Sequence, residues 1–182
     1  MGDSEITFRP LAEPDMPRMH GWLNNPEVSR WYGLGFENQT SPSLEEVAAY
    51  YAERMIEQPK VHLFIIESSG RPVGFIQTYR IGDHAEYARA LDFDDNAWGI
   101  DLFVGEDNVR GGGFGARVIE RFLEVEIFSR PGVDTAVLAP NPDNARGIRC
   151  YEKAGFTHVK TAWVEVEQNY EYVMARRRMA AD

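Results

Sequence analysis

The chain has a single cysteine, Cys150, among 182 residues, which excludes an internal disulfide framework. Histidines are as sparse: His20, His62, His84 and His158 are scattered and none pairs with a cysteine at zinc spacing, so no metal site is expected. No run of about 18 apolar residues occurs, so no membrane span is expected. The opening MGDSEITFRP lacks an apolar signal region, which leads to the expectation of a cytoplasmic protein. Gly2 follows Met1, but Asp3 and the missing basic patch argue against lipidation. Positive charge is also short. Nineteen basic against 29 acidic side chains give a net charge of −10, which argues against a nucleic-acid partner. Without residues 176–182, 16 basic and 28 acidic side chains remain, a net charge of −12. Such a body can steer a cationic ligand, although solubility alone accounts for charge of this size.

What is present fits one α/β domain over residues 1–182. ITFRPL (6–11) alternates as a strand, and residues 13–28 form a short helix broken near Asn25-Pro26. Residues 41–55 form a clearer helix, capped by Ser43 with Glu46 and striped by Leu44, Val47, Ala48 and Tyr51. VHLFIIES and RPVGFIQTYR are strands joined through Ser68-Ser69-Gly70-Arg71, a hairpin signal. The acidic stretch 82–97 reads as a loop, and WGIDLFVGE (98–106) as a strand. A glycine-rich turn then opens a helix with Val118, Ile119, Phe122 and Leu123 on one face. VDTAVLAP is a strand. NPDNARGIRCYEKAG is a helix, with Asn141 as cap, Pro142 in the first turn and Gly155 as stop. Two closing strands follow. The expected order is β-α-α-β-β-β-α-β-α-β-β, a mixed central sheet.

The glycines Gly111, Gly112, Gly113 and Gly115 lie where a helix begins, a place they disfavour. A helix start leaves backbone N–H groups without partners and carries partial positive charge. Glycines let a phosphate reach those groups without a side-chain clash, so RGGGFG reads as a pyrophosphate cradle. It is not a P-loop, since no Gly-Lys-Ser/Thr follows, and it lacks the place and spacing of the dinucleotide fingerprint.

Arg110-x-x-Gly113-x-Gly115 resembles the acyl-CoA pyrophosphate loop of the GCN5-related N-acetyltransferase (GNAT) family. NPDNARGIRCYEKAGF is similar to that family's second signature, with Asn144 and Tyr151 at matching places. WLNNPEVSRWYG, GFIQTY, WGIDLFVG and IRCYEKAGF together look like the aminoglycoside 6′-N-acetyltransferase branch, over nearly all of residues 5–175. The resemblance implies the GNAT fold, acetyl-CoA as co-substrate without a metal, and direct transfer of acetyl to an amine of an aminoglycoside. It implies an antibiotic-resistance enzyme; the extra C-terminal strand and the basic tail permit a homodimer as well as a monomer.

The same resemblance assigns residues. Arg110, Gly111, Gly112, Gly113, Phe114, Gly115, Ala116, Asn144 and Tyr151 would hold the CoA moiety, while Leu102, Phe103 and Val104 offer backbone groups to its pantetheine arm where the fourth and fifth strands splay. Tyr151 would protonate the leaving thiolate; its alternative is packing. Asp101 sits in an otherwise apolar strand, where a carboxylate needs a partner or a ligand; it would bind or deprotonate the substrate ammonium. Glu86 is the second base candidate, and Asp83, Asp92, Asp94 and Asp95 are other possible acidic contacts. Trp31, Tyr32, Gln77 and Tyr79 match positions of the acceptor cleft, with core packing the alternative for the two aromatics of 31–32. Glu165 and Glu167, read on the penultimate strand, would add negative charge. Cys150 reads as a buried small hydrophobe rather than a nucleophile.

One departure stands out: related enzymes carry an acidic residue at the end of the fifth strand, and this chain has Ala139. Other acceptors therefore stay open: a polyamine, a siderophore precursor or a protein N-terminus. So does a silent acyl-CoA-binding module, which the presence of both Asp101 and Tyr151 argues against.

Overall fold

Most elements form where local chemistry asks for them. The computed structural model describes residues 5–32, 41–56, 59–93 and 96–178. In chain order these give β1 (Ile6–Pro10), α1 (Met16–Leu23), α2 (Pro26–Ser29), α3 (Leu44–Ala52), β2 (Val61–Ser68), β3 (Arg71–Arg80), α4 (Ala85–Leu91), β4 (Ala97–Val104), α5 (Phe114–Phe122), β5 (Thr135–Leu138), α6 (Ala145–Lys153), β6 (Thr157–Val164) and β7 (Asn169–Arg177). The sheet is seven-stranded and mixed, in the order β1-β2-β3-β4-β5-β7-β6. β1 runs antiparallel to β2, β4 parallel to β5, and β7 antiparallel to both β5 and β6.

Two compact units are present. The first is Met1–Gln77 with Leu102–Arg110, the second Thr78–Asp101 with Gly111–Asp182. In the first, α3 starts as its sequence demands. The Glu46 amide donates to Ser43 Oγ (3.2 Å) and the Ser43 amide donates to Glu46 Oε2 (2.7 Å), a reciprocal capping box. Val47 and Tyr51 are buried in a core with Met19, Trp22 and Phe75, but Leu44 is 44% exposed. The expected stripe thus begins one turn later, because the first turn of α3 extends past the core. The β2–β3 turn carries Ser69 at φ 51° and Gly70 at φ 73°, two left-handed residues that suit a tight hairpin. Arg9 closes this unit's polar side: it donates to both Asp15 oxygens at 2.7 Å and to Glu67 Oε1 at 2.9 Å.

The second unit departs from expectation in three places. Residues 85–91 of the acidic stretch are a helix, because Ala-Glu-Tyr-Ala-Arg-Ala-Leu turns Tyr87, Ala88 and Leu91 onto a core with Ile81, Val137 and Val173. Asp94 and Asp95 lie outside the described residues. Helix α6 begins after Asn144, not Asn141. Asn144 Oδ1 accepts from the Gly147 amide at 2.9 Å, while Asn141 closes the preceding turn by accepting from the Asp143 amide at 2.9 Å. Gly155, at φ 81°, ends the helix as expected. Glu165 and Glu167 fall in the β6–β7 turn rather than on the strand.

Candidate active site

In the second unit, β4, β3, α4 and β7 bring together four acidic or phenolic groups that the sequence holds far apart. Tyr79 lies flat across β4: a Cβ on Gly99 would meet its ring at 2.5 Å. A hydrogen bond links the Tyr79 and Tyr87 hydroxyls. Tyr87 in turn donates to Glu171 Oε2 at 3.0 Å. Asp101, two residues along β4 from Gly99, acts electrostatically on Tyr79, Tyr87 and Glu171 alike. Burial, reinforced by these negative neighbours, holds both phenols well above the ordinary tyrosine range, so they remain protonated donors. Burial also pushes the Glu171 carboxyl up to about 8, the Tyr87 hydrogen bond opposing and Asp101 and Glu167 adding to the rise.

The glycine turn before α5 is left-handed and open. Gly111, Gly112 and Gly113 have φ of 93°, 56° and 80°, left-handed conformations that disfavour other residues. A Cβ at any of the three would point into open space. Gly113 is the N-cap of α5 and no side chain caps that helix, so the first-turn N–H groups are served by backbone and surroundings alone. Phe114 and Ala116, by contrast, are buried in the core. Gly115 answers to packing: a Cβ there would meet Cys150 Sγ at 2.8 Å, so its absence lets α5 approach α6. On α6, burial raises the Cys150 thiol above its ordinary range, with Lys153 opposing; the thiol stays protonated and is no activated nucleophile. Tyr151 is half-buried, and burial, followed by Cys150 and Asp101, holds its phenol well above the ordinary range. It is a proton donor at neutral pH. The Asn144 carbonyl is engaged as helix cap.

In the first unit, Arg110 faces back onto the chain. Its Nε and Nη2 donate to the Val104 and Gly105 carbonyls, each at 2.9 Å, and it pairs with Asp107. The Val104 carbonyl is therefore taken by Arg110, while Leu102 and Val104 are half-buried. Phe103 is core: it stacks on Phe75 (5.6 Å) and meets Trp22 and Tyr32 edge-on at 6.0 and 4.9 Å. Tyr32 thus packs as an aromatic of this cluster, and Trp31 lies beneath the Arg30 guanidinium at 4.8 Å. Gln77 is half-buried near the end of β3.

Two further sequence candidates lie at the surface. Glu86 is exposed on α4 and has no hydrogen bond or ion pair among the described residues; its neighbour Tyr87 is the one that turns inward. Glu165 is exposed and tied to its own turn, accepting from Trp163 Nε1 at 2.7 Å and Gln168 Nε2 at 2.9 Å. Glu171, within the closing strand read from YEYVMARRR, is buried on β7, and nothing local in the sequence marked it so.

The pairing of β4 with β5 covers only Ala97–Gly99 against Thr135–Val137, three of the eight residues of β4. A short parallel pairing, an uncapped glycine-led helix and a protonated tyrosine on the next helix occur together, and residues 12–164 match the family model described as "Acetyltransferase (GNAT) domain". The chain belongs to the GNAT acetyltransferases.

This acetyltransferase is 29% identical over 154 residues to the aminoglycoside N(6′)-acetyltransferase type 1 of Klebsiella pneumoniae, covering 85% of this chain and 75% of that one. It is 30% identical over 162 residues to the N(6)-hydroxylysine O-acetyltransferase of Escherichia coli, covering 85% of this chain and 47% of that one. Among solved structures it resembles aminoglycoside acetyltransferase AAC(6′)-Ib in complex with coenzyme A and kanamycin. There the TM-score is 0.82 at 27% identity, covering 96% of this chain and 95% of that one. Among the described residues no helix is long and apolar enough to cross a membrane, and no group of three or more metal-ligating side chains occurs.

Proposed function

We propose that residues 1–182 form one acetyltransferase domain that transfers acetyl from acetyl-CoA to the 6′ amine of an aminoglycoside. The observation that carries this reading is the acidic cluster around Asp101, in which the groups acting on Glu171 are a phenol and two carboxylates with no basic side chain among them. Burying the Glu171 carboxyl beside other acidic groups is costly, and a polycationic substrate is the natural compensation. The similarity to aminoglycoside acetyltransferases over most of the chain supports the same acceptor.

The thioester is already activated, so the chain need only present a neutral amine, stabilise the oxyanion and protonate the leaving thiolate. Asp101 anchors the ammonium and takes its proton, directly or through water. Nitrogen attacks the thioester carbon, the C–S bond breaks as the Tyr151 hydroxyl gives its proton to sulfur, and the second proton shed by the nitrogen as the amide forms returns to the Tyr151 oxygen through solvent. Gly111–Gly113 and the start of α5 hold the pyrophosphate through backbone N–H groups, and Leu102–Val104 receive the pantetheine arm. Arg110 positions the end of β4 rather than meeting phosphate. Trp31, Tyr32, Gln77 and Tyr79 belong to the acceptor side.

A second reading, acetylation of an N-hydroxylated amine, is favoured by one observation: a relative of comparable identity is an N(6)-hydroxylysine O-acetyltransferase, of whose length this chain spans about half. Steady-state kinetics with acetyl-CoA on kanamycin, tobramycin, spermidine and N6-hydroxylysine, following free thiol, separates the two. Kanamycin and tobramycin should be the better acceptors. Asp101→Asn should weaken kanamycin turnover far more than acetyl-CoA binding, and added salt should raise the kanamycin KM. Preference for N6-hydroxylysine or spermidine would remove the aminoglycoside assignment and leave the acetyltransferase in place.

A further inference from the structure

Glu171 is the buried carboxyl of the acidic cluster, and the mechanism above gives it no task. It is 8% exposed on β7, opposite Ala162 of β6. Oε2 accepts from Tyr87 at 3.0 Å, whereas Oε1 has no hydrogen-bond partner among the described residues and is not among the fully sealed polar atoms. A carboxyl buried this deeply, with one oxygen held and the other open, is built for a ligand. Its neighbours are small: Ala139, just past β5, and Ala162 on β6 belong to the same cluster. The groups that act on Glu171 are phenolic or acidic, and His84 at the start of α4 packs on Tyr79 at 5.2 Å. Tyr79 of β3, Tyr87 of α4, Asp101 of β4 and Glu167 of the β6–β7 turn face the group. Glu86 and Arg89 of α4 are exposed, and the β5 and β6 neighbours are alanines.

We propose that Glu171 is a specificity-determining residue of the acceptor site, whose Oε1 receives an ammonium group of a polycationic acceptor while Tyr87 fixes the carboxyl from the other side. This rests on the acceptor class proposed above and names the chain's own second anchor beside Asp101. Where related enzymes carry an acid at the end of the fifth strand and this chain has Ala139, the negative charge comes instead from the adjacent strand β7. The proton balance follows. With its carboxyl pushed up to about 8, free Glu171 is mostly protonated at pH 7. An arriving ammonium favours the carboxylate, so the acid O–H proton leaves to solvent and the cation takes its place. Acceptor binding therefore releases close to one proton more than it would without this residue.

The test uses the full-length enzyme and Glu171→Gln, which keeps the size and the Tyr87 contact. Calorimetric titration of kanamycin and of spermidine at pH 7, each in two buffers of different ionisation enthalpy, counts protons released, and steady-state kinetics supplies both KM values. The proposal expects the variant to raise the acceptor KM about tenfold or more and to leave the acetyl-CoA KM within about twofold. It expects the variant to release close to one proton less than wild type. An acceptor KM within twofold of wild type, or an unchanged proton count, on whichever acceptor the wild type turns over, overturns the role of Glu171. Turnover of spermidine but not kanamycin overturns the aminoglycoside reading alone, and Glu171 is then judged on spermidine. A wild type that acetylates neither overturns both.

Discussion

Gly99→Ala isolates a single contact in the candidate site. The backbone at Gly99 is not in the left-handed region, so alanine fits the strand itself. What stands in the way is Tyr79, whose ring carbons Cε2 and Cζ would each lie 2.5 Å from the new Cβ, and whose hydroxyl would lie at 2.9 Å. Ordinary carbon contacts begin near 3.5 Å, so the ring must withdraw by about 1 Å. It cannot do so freely. It meets His84 at 5.2 Å and Tyr87 at 6.2 Å, and its hydroxyl is bonded to Tyr87. Overpacking of this kind costs roughly 1–3 kcal/mol. For a chain of this size, that lowers Tm by roughly 2–12 °C. The displaced ring should also loosen the Tyr79–Tyr87–Glu171 chain and raise the acceptor KM more than the acetyl-CoA KM. The assay is a double-mutant cycle by thermal unfolding with Tyr79→Ala, in which the room for the new methyl already exists. Gly99→Ala should then cost close to nothing, giving a coupling energy of roughly 1–3 kcal/mol. Equal cost in both backgrounds would refute the contact as the reason for the glycine.

Tyr151→Phe should lower kcat by roughly 10²–10⁴-fold with little change in acetyl-CoA affinity, measured by steady-state kinetics and direct titration; near-normal kcat would leave Tyr151 a packing residue. Gly112→Val should raise the acetyl-CoA KM at a folding cost of about 1–2 kcal/mol, because φ is 56° but the new Cβ meets nothing within 4 Å. Gly115→Val is no substitute for it, since the Cys150 contact makes that change disrupt packing first. Arg9→Met should destabilise the first unit by roughly 1–3 kcal/mol at pH 7, as Asp15 and Glu67 lose their cation. The Arg9 guanidinium holds the Asp15 carboxyl below its ordinary range. Its contribution is therefore present above the unfolded carboxyl value and lost as pH falls through the lower folded value. Denaturant titrations should show wild type and variant converging below about pH 4; a constant gap would place the effect elsewhere.

The sequence alone determined the features that depend on neighbours within a few residues. Ser43 and Glu46 specify the start of α3, Ser69-Gly70 the hairpin, and the run Gly111–Gly113 a left-handed turn at the start of α5. Asp101 was conspicuous for the same kind of reason, a charge inside an apolar strand. Tertiary structure decided the rest. Residues 85–91 looked like an acidic loop because their apolar side is only Tyr87, Ala88 and Leu91, a stripe too short to notice until a core exists beneath it. Asn144 displaced Asn141 as cap, and Leu44 fell outside the core, because packing chooses among locally equivalent starts. Glu171 shows the limit most clearly. Its burial and its raised carboxyl come from Tyr87, 84 residues earlier, and from Asp101 on another strand. A side chain's environment is set by whatever the fold brings against it, and strand alternation tells only which face it occupies, not what waits there.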